Sequence, residues 1–359
     1  MSGASGDGVE AVLVDFSGDV PFLVAQLRRP YSPEERATIA ALAGTPPDAL
    51  DRLADLDVEL GRLFATSIQH LLAAAGVPAR QVKAIGSHGH TVRHRPGPNG
   101  CCLQLGDPST IAERTGITTV ADFRRRDIAA GGKGAPLVPA FHAALCRDAN
   151  VTRVVATLSG GLANVSILPA DASEPVSGFD TGPANVLMDA WIARHRGERL
   201  DRDGAWARQG IMLGPLLSRL LDDPFFEEPP PKRADRARFD LEWLTKRLDG
   251  DERPQDVQAT LCELTAVTLA NAIRRHAPAA GEVVLSGGGA YNGYLRGRIA
   301  AHLTGIPVST TERYGIAPEW VEAAAFAWLA RQTLAAAPGN LPEVTGARRA
   351  VILGAIYRA

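Results

Sequence analysis

Cysteine is scarce in this chain: four in 359 residues, at Cys101, Cys102, Cys146 and Cys262. None belongs to a C-x-x-C pair, and the adjacent two are badly placed to bridge each other. The pattern speaks against a disulfide framework and fits a reducing, cytoplasmic compartment. Lysine is equally sparse, limited to Lys83, Lys133, Lys232 and Lys246, so arginine carries nearly all the positive charge. That imbalance reads as composition bias rather than chemistry. Neither sign of charge prevails: 38 Lys and Arg against 40 Asp and Glu leave a formal net charge of -2. Nothing in that balance points to nucleic acid or an acidic membrane as partner. No apolar run is long enough to span a bilayer, and no basic stretch followed by an apolar one opens the chain, so neither export nor insertion is expected.

What is present is the composition of a soluble globular protein, 45% hydrophobic and 22% charged. The length predicts two domains. Residues 9–16 and 21–28 read as strands joined by the turn SGDV, 34–77 as helix, 83–89 as a short strand, 108–115 as helix and 117–123 as a buried strand. The pattern then restarts. Residues 151–169 read as strand, Gly-Gly turn, strand; 256–276 as an amphipathic helix; 282–289 as a strand running into glycines; 292–303 and 321–337 as helices. EEPPPKRADRAR (227–238) reads as a loop. Two α/β domains, each opening on a β-hairpin and with a cleft between them, are the expected architecture.

The standard nucleotide fingerprints fail. SGGGAYNG has Asn292 where a dinucleotide fold needs its third glycine, and Lys133 is followed by Gly134 rather than Ser or Thr. No G-x-S-x-G elbow surrounds Ser159 or Ser286. Three glycine turns remain, at 2–8, 159–161 and 286–289. Each frees backbone N–H groups, which suit phosphate oxygens, although each alone is also an ordinary tight turn. His88, His90 and His94 resemble a metal cluster but lack a Cys or nearby carboxylate to complete it. Substrate contact by His88 and Thr91, or a structural histidine, fits better. In the stretch 121–142, Asp122 and Arg124 to Arg126 are placed to clamp an anion, unless they form a solvated loop, and the Gly/Pro content reads as a hinge. The sharpest feature is SGFDTGPAN (177–185), a carboxylate, Asp180, between Gly178 and Gly182 in what reads as a turn ahead of a helix. A small ligand could reach it; a helix cap or Asx turn is the plainer account. Glu322 falls in the first turn of a helix, where the helix dipole alone favours an acid.

Taken in order, these segments resemble the anhydro-N-acetylmuramic acid kinase family over nearly the whole chain. The resemblance is carried by SGASGDGVEAVLVDF, IGSHGHTVRHRP, LQLGDPSTIAERTGITTVADFRRRDIAAGGKGAPLVPAFH, GFDTGPANVLMDAW, DRDGAWARQG, LSGGGAYN and GIAPEWVEAAAFAWLA. It implies the hexokinase–Hsp70–actin class of ATPases: two related RNase H-like domains around an ATP cleft. Domain I would be 1–130 with 340–359 returning to it, and domain II 131–339. The strand that precedes the first turn in the family is missing ahead of Met1, so the first hairpin is expected to lack one arm.

The resemblance implies a reaction. ATP, with Mg²⁺, phosphorylates O6 of 1,6-anhydro-N-acetylmuramic acid while water opens the 1,6 bridge at C1, in cytoplasmic recycling of cell-wall peptidoglycan. Asp180, on the family's G-x-D-T-G-P motif, would be the general base, and Glu322 would orient water or sugar. Gly3, Ala4, Ser5, Gly6, Asp7, Gly8, Gly160 and Gly161 would meet the phosphates. Gly287, Gly288, Gly289 and Asn292 would lie towards the nucleoside. His88, Thr91, Asp122 and Arg124 would contact the sugar, and no residue is assigned as a direct metal ligand. A homodimer is compatible with the family. Two alternatives are another amino-sugar kinase of the same fold and a degenerate, non-catalytic protein that binds ATP or muropeptide.

Overall fold

The computed structural model describes residues 1–3, 8–18, 20–41, 49–95, 100–159, 161–235 and 238–359. They form two compact units, Met1–Leu145 with Trp320–Ala359, and Cys146–Glu319. Both are α/β with mixed sheets.

In the first unit, β1 (Gly8–Asp15) and β2 (Phe22–Pro30) form the expected antiparallel hairpin. Along β2, exposed and half-buried residues alternate strictly, the period-2 mark of a strand with one face in solvent. Ser2 makes single bridges to Val9 and to His90. The short strand β3 (Ile85–Gly86) is followed by a hairpin not expected from the sequence, β4 (His90–Arg95) and β5 (Cys101–Leu105). Strand β6 (Thr119–Ala121) runs parallel to β3 and antiparallel to the terminal strand Ala355–Tyr357. The helical stretch expected over 34–77 is two helices, Pro33–Ala41 and Ala49–Ala75. Gly44, Pro46 and Pro47 fall in the sequence between them, and prolines do not sustain a helix interior. Leu56, Leu60 and Phe64 of the longer helix pack with Val9, Tyr31, Leu105 and Ile111.

Residues 131–145 and 320–339, assigned to the second domain from the sequence, are part of this first unit. The reason is packing. Phe326 and Leu329 of the helix Val321–Leu334 share a core with Val120, Phe123, Leu137 and Leu353. The glycine-rich stretch expected to be a hinge is tied down instead. The fully buried carboxylate of Asp127 accepts from Gly134 N (2.7 Å), Asn340 Nδ2 (2.7 Å) and Thr345 Oγ1 (2.7 Å), and Lys133 N donates to Thr345 O at 2.8 Å.

The second unit is built on one five-stranded sheet. Strands β7 (Thr152–Ser159), β8 (Leu162–Leu168) and β9 (Ser177–Pro183) form an antiparallel meander, while β10 (Ala280–Ser286) and β11 (Val308–Thr310) run parallel to β7. Their spatial order is β11-β10-β7-β8-β9. The helix Pro254–His276 is not amphipathic, as the sequence had implied, but buried on nearly every side through Ala266. Its Thr260, Thr265 and Thr268 hydroxyls donate to helix carbonyls one turn back, so these polar side chains enter the core without an unmet donor.

Candidate active site

Asp180 lies in a strand, not in a turn. On β9 it faces Asn164 of β8, beside a bulge that leaves Thr181 unpaired in the register. Bulges of this kind re-aim side chains and are common near active sites. The helix that follows starts only at Val186, so Asp180 is not its cap. Its backbone N–H donates to Lys232 O (3.1 Å), and its Oδ2 accepts from Ala234 N (3.1 Å), more than fifty residues along the chain. The loop over 227–235 therefore closes over the acid. Lys232 anchors that loop: its buried ammonium donates to Phe225 O (2.8 Å) and Phe226 O (3.2 Å) and sits over the Phe225 ring. Burial raises the Asp180 carboxyl above the usual aspartate range, while the Ala234 N–H and the nearby Arg233 and Lys232 charges pull the other way. A half-buried carboxylate with raised proton affinity, whose other oxygen accepts no hydrogen bond from a described residue, fits proton abstraction.

The flanking glycine has a different purpose from the ligand access expected of it. A methyl on Gly182 would stand 2.9 Å from the Phe226 ring and 3.1 Å from Thr268 Oγ1, so this glycine lets the buried helix and the 225–226 aromatics approach β9.

Two of the expected glycine turns meet at the same end of this sheet. Ser159 pairs with Leu162 across the β7–β8 turn, and Gly161 O accepts from Ala184 N at 3.2 Å. β10 ends in Gly287, whose φ of +82° requires glycine and whose N–H donates to Pro318 O at 2.8 Å. A methyl there would strike Leu158 O at 2.6 Å and Ser159 Cβ at 2.9 Å, so the two turns touch. Gly288 is exposed with nothing within 4 Å of its Cβ position, and Gly289 is buried. Open backbone of this kind accommodates phosphate. Asn292 serves its own helix, since its Oδ1 caps Gly293–His302 by accepting from Leu295 N at 3.0 Å. Ala4, Ser5, Gly6, Asp7 and Gly160 lie outside the described residues; Gly3 is half-buried, and Gly8 is buried at the start of β1.

In the first unit the structure brings His88 and Arg124 together. Arg124 Nη2 donates to His88 Nε2 at 2.8 Å and Nη1 to Gly134 O at 2.8 Å, while the other His88 nitrogen meets Gly89 O at 3.1 Å. Burial first, then the Arg124 charge, holds His88 well below the usual histidine range, so it is neutral. Its ring packs on Phe326 at 4.4 Å. The three histidines do not converge. His90 Nδ1 meets Ser2 Oγ at 2.9 Å and His94 Nδ1 meets Cys102 Sγ at 3.2 Å. Among the described residues, no group of three or more His, Cys, Asp or Glu is placed to hold a metal ion. Thr91 Oγ1 accepts from Gln104 Nε2 at 3.3 Å.

Asp122 is the most telling residue of this unit. It precedes the helix Phe123–Ala129 in the left-handed region (φ 60°, ψ 46°) yet makes no side-chain cap. Burial raises its carboxyl, against the pull of Arg125 at 3.5 Å. Backbone strain of this kind concentrates at functional positions. Glu322 is exposed in the first turn of the helix Val321–Leu334. Sequence reasoning missed the part played by Lys232 and Ala234. The prolines beside Lys232 marked a loop, but nothing local showed that it folds over Asp180.

A family model described as anhydro-N-acetylmuramic acid kinase matches residues 1–359. Among curated relatives, an anhydro-N-acetylmuramic acid kinase of Saccharophagus degradans is 48% identical, over 99% of this chain and 97% of its own. Those of Xylella fastidiosa and Coxiella burnetii are 49% and 46% identical, over 100% and 99% of this chain and 95% and 96% of theirs.

Proposed function

Because the chain belongs to the anhydro-N-acetylmuramic acid kinase family and acts as such a kinase, we propose that Asp180 is the base of its reaction. The half-buried carboxylate on β9, held by the Ala234 N–H on the strand whose last residue, Pro183, pairs with Leu162 beside the β7–β8 turn, carries this reading. Asp180 takes a proton from water as the water oxygen bonds to C1 of 1,6-anhydro-N-acetylmuramic acid. The C1–O6 bond breaks, and O6 forms its new bond to the γ-phosphorus of ATP. The products are N-acetylmuramic acid 6-phosphate and ADP, and the proton on Asp180 returns to solvent.

Gly161 and Gly287 to Gly289 are read as the phosphate and nucleotide turns of the second unit; the open space before Gly288 fits such a ligand. Gly3 to Gly8 and Gly160 are given the same role from the family motif. Asn292 acts there through the helix it caps. His88, Thr91, Asp122 and Arg124 are assigned to the sugar, whose lactate carboxylate suits a guanidinium. Glu322 orients water or sugar. Magnesium, when present, neutralises phosphate charge, and no set of side chains in the described residues is assigned to hold it.

The strand order β9-β8-β7-β10-β11, a meander followed by two parallel strands, supports an RNase H-like reading of the second unit. No helix among the described residues is long and apolar enough to cross a membrane, which is compatible with a cytoplasmic place in peptidoglycan recycling. The test is ADP release with 1,6-anhydro-N-acetylmuramic acid, glucose and N-acetylglucosamine in turn, with the bonds of the product assigned by NMR. Opening of the 1,6 bridge to a reducing C1 together with phosphate at O6 is expected with the anhydro sugar. Equal turnover of the other sugars, or a phosphorylated product that keeps the 1,6 bridge, refutes the proposed chemistry.

A further inference from the structure

We propose that Asn185 is a nucleotide-positioning residue, its carboxamide donating to a phosphate oxygen where the two glycine turns of the second unit meet. The inference rests on the reading of Gly160–Gly161 and Gly287–Gly289 as nucleotide turns.

Three observations converge on this side chain. Asn185 occupies the N-cap position of the helix Val186–Arg196, where asparagine ordinarily accepts a helix N–H, but it makes no side-chain cap. Its Oδ1 is buried with no hydrogen-bond partner, a costly state for a carboxamide with nothing else to bind. Its place is the junction itself. The preceding Ala184 N–H donates to Gly161 O at 3.2 Å, and a methyl on Gly289 would stand 2.8 Å from Asn185 Oδ1 and 3.0 Å from Nδ2. Leu158 Cβ, at 2.7 Å from the same position, and this carboxamide together leave room only for glycine at 289.

The chemistry follows from the surroundings. Neither end of the carboxamide is held by a hydrogen bond to a described residue, so a half-turn about its last torsion exchanges oxygen for nitrogen. Turned that way, it adds a neutral side-chain donor to the backbone N–H groups of the turns. It sits on the segment that follows Asp180 out of β9, so one short stretch of chain, 180–185, would carry both the base and a phosphate contact.

The experiment is calorimetric titration of a non-hydrolysable ATP analogue with Mg²⁺ into wild type, Asn185→Ala, Asn185→Asp, Asn185→Ser and Gly288→Val, with melting curves for each. Asn185→Ala is expected to weaken binding about 10-fold or more. Asn185→Asp, equal in shape but anionic, is expected to weaken it further, and Asn185→Ser, which keeps a donor, to recover part. A purely structural role predicts the reverse order: Asp binds like wild type, and Ala lowers the melting temperature without a matching loss of affinity. That result overturns the inference. A Cβ at position 288 would have no described atom within 4 Å, so Gly288→Val projects into open space from its first carbon and tests the nucleotide reading separately. If it weakens binding while all three Asn185 variants match wild type, the positioning role falls and the nucleotide turns stand. If it binds as wild type does, the nucleotide reading fails and the inference with it.

Discussion

Replacing Asp180 by Asn changes one atom and removes the capacity to take a proton. The fold should accept it. Among the described residues the carboxylate accepts one hydrogen bond, from Ala234 N at 3.1 Å, and a carboxamide oxygen accepts it equally well. The buried setting raises the carboxyl's proton affinity, so the native state favours the protonated acid more than the unfolded chain does. Stability linked to Asp180 is therefore fullest below the ordinary aspartate pKa and declines as pH rises through the raised native value. At pH 8 the wild type bears the whole of that penalty and the neutral Asn variant none. The variant should melt no lower than wild type at pH 8, and any advantage should shrink as the pH falls into the aspartate range. Catalysis moves the other way. Loss of a general base costs ~10²–10⁴-fold, or about 2.7–5.5 kcal/mol of barrier. Measured as ADP release with saturating ATP and varied anhydro sugar, kcat/KM should fall by that factor while affinity for an ATP analogue holds. In wild type, kcat/KM should decline on acidification with an apparent pKa above the reference 3.8. A folded variant that keeps more than about a tenth of the wild-type rate, or a wild-type profile with no acid limb above that value, refutes the assignment.

Asp122→Gly relieves a left-handed backbone that only glycine adopts freely, so the melting temperature should hold or rise while KM for the sugar rises about 10-fold; unchanged kinetics would leave the acid without a functional role. Asp127→Asn turns an amide N–H2 towards one of three converging donors. It should cost about 3 kcal/mol and lower the melting temperature by roughly 6–12 °C, and a loss under ~2 °C would show that the donors find other partners. His88 is depressed in the native state, so its share of stability is present above the unfolded value of 6.5 and lost as pH falls below it. Melting curves from pH 7.5 to 5 should fall less steeply for His88→Gln, which can still accept from Arg124, than for wild type; parallel curves would mean that His88 does not govern the acid loss.

Much of the site was written locally. Turns such as 159–161 and 286–289 follow from glycines placed between apolar, β-branched runs, because strand period and turn chemistry are properties of neighbouring residues. The family motifs likewise marked Asp180, Asp122 and the 88–91 stretch by their own spelling. Other features had no local signature. SGFDTGP read as a turn because glycine and proline dominate it, yet pairing with β8 makes it a strand, and the pairing partner is set by the sheet. The helix Pro254–His276 carries Asp256, Gln258, Thr260 and Glu263, polar residues that suggest a solvent face, but each finds a partner inside the unit: Asp256 on Ile211 N, Gln258 on Asp201, Thr260 on Asp256 O, Glu263 on Arg298 and His302. The proton affinity of Asp180 was equally illegible. It depends on a lysine-anchored loop from 227–235 folding back over a strand some fifty residues earlier, and burial is a property of what covers a group, not of the group's neighbours in the chain.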